Sequence, residues 1–296
     1  MNRFFGSIFK NQITPRTKGV VCIIFAAFGF SMMSVFVKLS GDNLPFMQKA
    51  FFRNFIALIF VSVIMAKNKI PLMPEKRNIP LLLGRSIFGT IGLTFNFYAI
   101  DRLVLADANM LNKLSPFFAI IFSVILLKEK PNLIQVGGVT LAALGSVCII
   151  KPGFDNPEIF PSIVGLIGGM GAGIAYTFVR KLGMRQENGS RIIFCFSLFS
   201  CLVCVPFMIA DFVPMTASQV FFLILAGLSA CIGQFGITKA YLFAPAKEIS
   251  VYDYTQVIFA AVFGFFFFGQ IPDAWSFLGY LLICGAGIGM FFYNKR

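Results

Sequence analysis

The chain has 296 residues, of which 58% are hydrophobic and only 12% charged, with a formal net charge of +13. So few charges cannot furnish the polar exterior that a water-soluble domain of this size requires. The absence of histidine removes zincin-type metal sites, histidine-based triads and imidazole proton relays in one step.

In chain order, residues 1–18 form an N-terminal segment with Phe4, Phe5, Ile8, Phe9 and Ile13 on one helical stripe, Arg3 and Lys10 among them, until Pro15 ends the pattern. An interfacial helix on an anionic leaflet and a frayed tail both fit it. The apolar run that follows is too long for a signal peptide and lacks a small-residue cleavage site. Ten apolar spans are then predicted, at 19–38, 46–66, 79–100, 105–127, 132–150, 161–180, 191–210, 217–238, 248–268 and 274–293. Runs of about 20 apolar residues cross a hydrocarbon core of about 30 Å. The longest polar connection falls in residues 151–160 (Lys151 to Glu158 reads KPGFDNPE) and divides 19–150 from 161–293, leaving 294–296 as a tail.

The two halves share one segment. Leu105 to Gly145 and Pro245 to Gly287 each read as an apolar helix, a polar turn with proline, and a glycine-bearing helix. Aligned, Ala106 meets Ala246, Lys113 meets Asp253 and Ser115 meets Thr255; after one insertion Pro131 meets Pro272 and Gly138 meets Gly279. Five spans per half is an odd number, so the second half is inserted upside down relative to the first. Inverted repeats are the architecture of alternating-access carriers, which hold substrate near the midplane between repeats. Small residues at four-residue spacing (Gly165, Gly169 and Gly173; Gly138, Ala142 and Ser146) allow close helix packing.

Lysines and arginines concentrate on one side of these spans, in the N-terminal segment, at 67–77, 128–130, 180–191 and 247, and in the tail. The positive-inside rule therefore puts both termini in the cytoplasm of a cell's inner membrane. The basic residues punctuate spans instead of forming a groove with stacking aromatics, so nucleic acid is not a partner. All seven cysteines lie inside apolar runs, and Cys201 with Cys204 has no second pair; they read as small packing residues, with no metal and no cofactor.

Charges inside spans cost roughly 2.5–3.5 kcal/mol each near the bilayer centre, so each needs a partner or a wet cavity. Arg53 and Arg85 sit close enough to span ends that anchoring and cavity roles both stand. Lys113 and Asp253 occupy equivalent positions in the two repeats. Two readings are open: a structural ion pair, or two charges flanking a cavity that bind a zwitterion. Asn109, Asn112, Asn96, Tyr98, Tyr176, Gln234, Tyr252 and Gln256 are the polar and aromatic candidates for its lining. Glu129, Glu248 and Arg85 are candidates for gating or coupling.

The stretches FFRNFIAL (Phe51 to Leu58), NFYAIDRLVLADANMLNKLSPFFAIIFSVILLKEK (Asn96 to Lys130) and Tyr252 to Gly287 resemble the EamA type of the drug/metabolite transporter superfamily. The resemblance covers essentially the whole chain. It implies an all-α membrane protein of ten helices in two inverted five-helix repeats, whose third, fourth, eighth and ninth helices line a central cavity. It departs from the pattern at Gln270, where the second repeat usually carries a glutamate like Glu129, and at Gln256, which replaces the proline found at Pro116. The expected activity is secondary transport of a small polar or zwitterionic metabolite, such as an amino acid, by a monomer or homodimer in the lipid bilayer. No G-x-x-x-x-G-K-[ST] run is present, which excludes ATP-driven pumping by this chain alone. The alternatives are an organic-cation exporter of the same fold, a channel, and an intramembrane lipid-modifying enzyme.

Overall fold

The computed structural model describes residues 14–127, 132–151, 157–244, 249 and 252–293. The predicted N-terminal stripe, Glu129 and Glu248 lie outside these residues. Among the described residues the chain is helical with no strand, and a helix is one of the two structures that satisfy every backbone polar group within lipid. The helices are α1 (Pro15–Leu39), α2 (Phe46–Lys67), α3 (Ile79–Arg102), α4 (Leu105–Asn112), α5 (Ser115–Leu127), α6 (Leu133–Ile150), α7 (Ile159–Met184), α8 (Gly189–Ala210), α9 (Ala217–Phe243), α10 (Thr255–Phe268) and α11 (Ala274–Tyr293). Six of them (α1, α2, α6, α7, α8 and α9) are long and apolar enough by length and composition to cross a membrane.

Local chemistry sets the helix starts. Pro15 opens α1 earlier than the predicted span, because its missing N–H is harmless in the first turn, and the Thr14 hydroxyl accepts from the Thr17 N–H at 3.3 Å. Asn132 with Gln135, and Thr216 with Gln219, form reciprocal capping boxes that open α6 and α9.

The predicted continuous helices over 105–127 and 248–268 are both interrupted. Lys113 and Leu114 form a turn between α4 and α5, and Tyr254 is a turn residue directly before α10. In the first copy the cause is Pro116, which cannot donate to a carbonyl one turn earlier and is tolerated only where a new helix starts. In the second copy Gln256 stands there, and the Thr255 hydroxyl instead donates to the Tyr252 carbonyl at 2.7 Å. A side chain that bonds back to the backbone takes over part of the ladder's work.

Helix packing is broad. α1 lies along α9 and α3 along α7; α2 pairs with α8 and α6 with α11; α5 packs on α7, α10 on α1, α2 on α9 and α3 on α8. The predicted glycine face of α7 has a definite task. A Cβ on Gly165 would meet Ala99 and Leu111, one on Gly169 would meet the Leu111 carbonyl, and one on Gly173 would meet Ser115 and Phe118. That face is the bed on which the interrupted α4–α5 segment lies. Gly169→Val is therefore expected to cost about 1–3 kcal/mol by overpacking, read as a lower melting temperature in detergent.

Candidate functional site

The interrupted segments meet in the protein interior. Lys113 Nζ donates to Asp253 Oδ1 at 2.7 Å, with side chains 1% and 0% exposed. Of the two readings open at the sequence level, the ion pair is the one observed. Asn109 supports it: its Oδ1 accepts from Gln256 Nε2 at 2.6 Å and from the Ser34 hydroxyl at 3.3 Å, while its Nδ2 holds the Leu105 carbonyl at 2.7 Å. The Ser31 hydroxyl donates to the Gln256 carbonyl at 2.9 Å. Two charges and two amides thus lock α4 to the start of α10, with α1 as backing.

Beside this crossing is a cavity of about 60 Å³ lined by both halves of the chain. Arg53, Arg85, Asn96, Asn112, Tyr176, Phe196, Gln234 and Gln256 give it its chemistry. Of the predicted lining, Asn96, Asn112, Tyr176, Gln234 and Gln256 are brought together here, and Arg85 joins them. Lys113, Asp253, Asn109, Tyr98 and Tyr252 are not part of its wall. Tyr98 points elsewhere, stacking under Arg102 with the guanidinium carbon 3.8 Å from its ring centre and meeting Phe46 and Phe160 edge-on. Tyr252 offers its carbonyl to Thr255. The third, fourth, eighth and ninth predicted spans contribute as the resemblance implies, and the first, second, sixth and seventh contribute too.

Arg85 does not snorkel. It is 3% exposed and Arg53 1%, and their guanidinium carbons lie 4.2 and 5.9 Å from the centre of the same Phe196 ring. Gly89 makes the notch for Arg85, since a Cβ there would collide with its Nη1. Arg53 Nη1 donates to Asn54 Oδ1 at 2.7 Å. Among the described residues neither arginine makes a salt bridge, in contrast to Lys49, Lys113, Lys151 and Arg191. The Nε atoms of both arginines, Asn96 Oδ1 and Gln256 Oε1 are buried without a hydrogen-bond partner.

The two ends of the bundle differ. At the end carrying Lys67 and Asn188, a vestibule of about 780 Å³ opens between α2, α8 and α9. It approaches the cavity within one turn of α9: Gln234 lines the cavity, Thr238 lines the vestibule, and Gln234 Nε2 donates to Thr238 Oγ1 at 3.4 Å. The opposite end is sealed by pairings that sequence reasoning missed. Lys49 Nζ meets Asp101 Oδ1 at 2.6 Å with side chains 0% and 6% exposed. Lys38 Nζ donates to the Leu103 and Ile100 carbonyls at 2.7 and 3.2 Å, where the negative end of the α3 dipole favours a cation. The Tyr280 hydroxyl donates to Asp107 Oδ1 at 2.7 Å, and Gln270 Oε1 accepts from the Leu105 N–H at 3.0 Å. Gln270, where the resemblance leads one to expect a glutamate, thus works as a neutral acceptor at the start of α4. Asp101, Arg102 and Asp107 interrupt the apolar pattern at this seal.

Helices of this length around an interior polar cavity, with apolar side chains such as Phe266, Leu281 and Ile258 exposed on the outside, define a multi-pass membrane protein. The chain belongs to the EamA-like transporter family, whose model matches residues 17–151 and again 159–292. It is 32% identical over 273 residues to the pseudopaline exporter CntI of Pseudomonas aeruginosa (strain UCBPP-PA14), covering 92% of this chain and 95% of that protein. It is 27% identical over 285 residues to human solute carrier family 35 member G1, covering 92% of this chain and 78% of that one. With the S-adenosylmethionine uptake transporter of Rickettsia prowazekii it shares 23% identity, covering 94% of each chain. One solved crystal structure shares the fold with a TM-score of 0.69 at 15% identity, covering 94% of this chain and 98% of that one.

Proposed function

We propose that the protein is a secondary carrier that moves a small polar metabolite across the cell's inner membrane by alternating access. The observation that carries this reading is the polar cavity lined by both halves of the chain at the crossing of two interrupted segments. Interrupted helices around a midplane site are the device by which carriers present backbone and side-chain polar groups to a solute. Relatives that carry the names of an exporter and an uptake transporter support the class and leave the direction open.

The packing supports two inverted repeats, over 19–150 and 161–293, with ten spans. If α1, α2, α3, α5 and α6 are exchanged with α7, α8, α9, α10 and α11, the packing pairs map onto one another. The α1–α9 pair becomes α7–α3, α5–α7 becomes α10–α1, and α2–α9 becomes α8–α3. The pairs α2–α8 and α6–α11 map onto themselves. A cavity on such an axis can be reached from either end by the same motion run in opposite senses. The vestibule end carries Lys67, Lys69, Lys76, Arg77, Arg180, Lys181, Arg185 and Arg191, so the positive-inside rule turns it to the cytoplasm. The Lys49–Asp101 end then faces outward and is closed.

Lys113 and Asp253 balance each other's charge in this state and serve as the fastening between interrupted segments. Among the described residues the cavity wall has no carboxylate, which disfavours the organic-cation reading. The test is uptake into proteoliposomes of compounds chosen by thermal shift. A carrier gives initial rates that saturate with solute; rates rising in proportion to concentration, or recovery of a chemically changed compound, would favour a channel or an enzyme instead.

A further inference from the structure

We infer that the substrate of this cavity is a small dianion, with its two negative charges on carboxylates or on a phosphate. This deepens the carrier reading above and rests on it for the word substrate.

Arg53 and Arg85 are two guanidiniums in one pocket wall, 1% and 3% exposed, and no salt bridge neutralises either among the described residues. Burying a cation without a counter-charge is the most expensive arrangement a membrane interior offers. Elsewhere among the described residues the chain avoids it: the buried Lys49 and Lys113 each have a carboxylate at hydrogen-bond distance. The exception falls at the cavity. Phe196 lies against both guanidiniums and Gly89 clears space for one of them. A face-on aromatic ring holds a guanidinium plane in place while leaving its edge donors free. Each arginine has a buried Nε that donates to nothing. Among the described residues the pocket therefore offers two forks of donors and two uncompensated positive charges, with no negative charge in its wall.

A monoanion would leave one guanidinium unmatched, and a zwitterion would bring a third cation into the cavity. A dianion matches the charge count and the bidentate geometry that arginine gives to carboxylate and phosphate. At about 60 Å³ the space holds about two waters, so binding requires the walls to part and the ligand to be small.

The experiment uses the purified full chain. Calorimetry and thermal shift are run with succinate, glutarate and glycerol phosphate, against the neutral succinamide and the zwitterion alanine. The expected result is that at least one dianion binds, that succinamide and alanine do not compete with it, and that Arg53→Gln and Arg85→Gln each weaken it about 10–100-fold. Succinate and glutarate against glycerol phosphate decide between carboxylates and phosphate. Without ligand, both variants should melt no lower than the wild type, because each removes a buried unpaired charge; a structural role would lower both. The inference is overturned if no dianion binds better than succinamide, or if binding is indifferent to both variants. Uptake separates the two levels. Arginine-dependent dianion binding without saturable uptake removes the carrier reading and leaves the site, whereas saturable uptake of a neutral or zwitterionic solute in both variants removes the dianion and leaves the carrier.

Discussion

Lys113→Ala is expected to destabilise the protein by about 3–5 kcal/mol, the usual consequence of stripping one partner from a buried ion pair. Asp253 would be left at 0% exposure with no cation at hydrogen-bond distance, and its Oδ2 has no partner even in the intact protein. Asp253→Ala should cost a similar amount. The exchange Lys113→Asp with Asp253→Lys should recover most of the loss, because the pair is local to two turns that meet face to face. Replacing both by apolar residues of similar volume should also recover stability. The measurement is the melting temperature of the four variants in detergent, by loss of monodisperse protein on size exclusion. Single losses that remain additive in the double variants would mean that the two residues act independently.

Asp101→Ala is expected to have an effect of the same size, by the same physics at the other end of the bundle. It leaves Lys49 fully buried and unpaired beside the α3 C-terminus that Lys38 also holds. The loss should be local as well as global. Amide exchange at Leu103 and Leu105 should accelerate, since the first donates to Ala99 and the second to Gln270 at this seal. Exchange within α8, at the vestibule end, should rise only as far as the global loss of stability requires. Equal protection changes at both ends would remove the distinction between sealed and open sides.

Helix positions were the most legible feature of the sequence, because apolar length is set by bilayer thickness and this chain carries few competing signals. The equivalence of Lys113 and Asp253 was also legible, from the repeat alone. Their contact was not: the two residues are 140 positions apart, and they meet beside the turns at Leu114 and Tyr254, which the apolar pattern did not show. Pro116 was the available signal for one break, and nothing comparable marks the other. Arg53 and Arg85 were ambiguous because distance along a span does not give depth, and the notch at Gly89 exists only once Arg85 adopts its rotamer. Tyr98 and Tyr252 lie outside the wall of the cavity, because composition names candidate residues without giving their helical phase. The Lys49–Asp101 seal joins residues 52 positions apart, a separation that no local pattern encodes.

Alternating access is tested most directly by distances measured in both states. In a background without the seven native cysteines, spin labels at Asn68 and Arg185 span the vestibule end, and labels at Asp42 and Asp211 span the sealed end. Pulsed dipolar spectroscopy in liposomes, with and without the compound that gives the largest thermal shift, follows both pairs. Alternating access requires opposite changes: the vestibule distance shortens as the sealed-end distance lengthens. Distances that move together, or a sealed end that never opens under saturating compound, would contradict it.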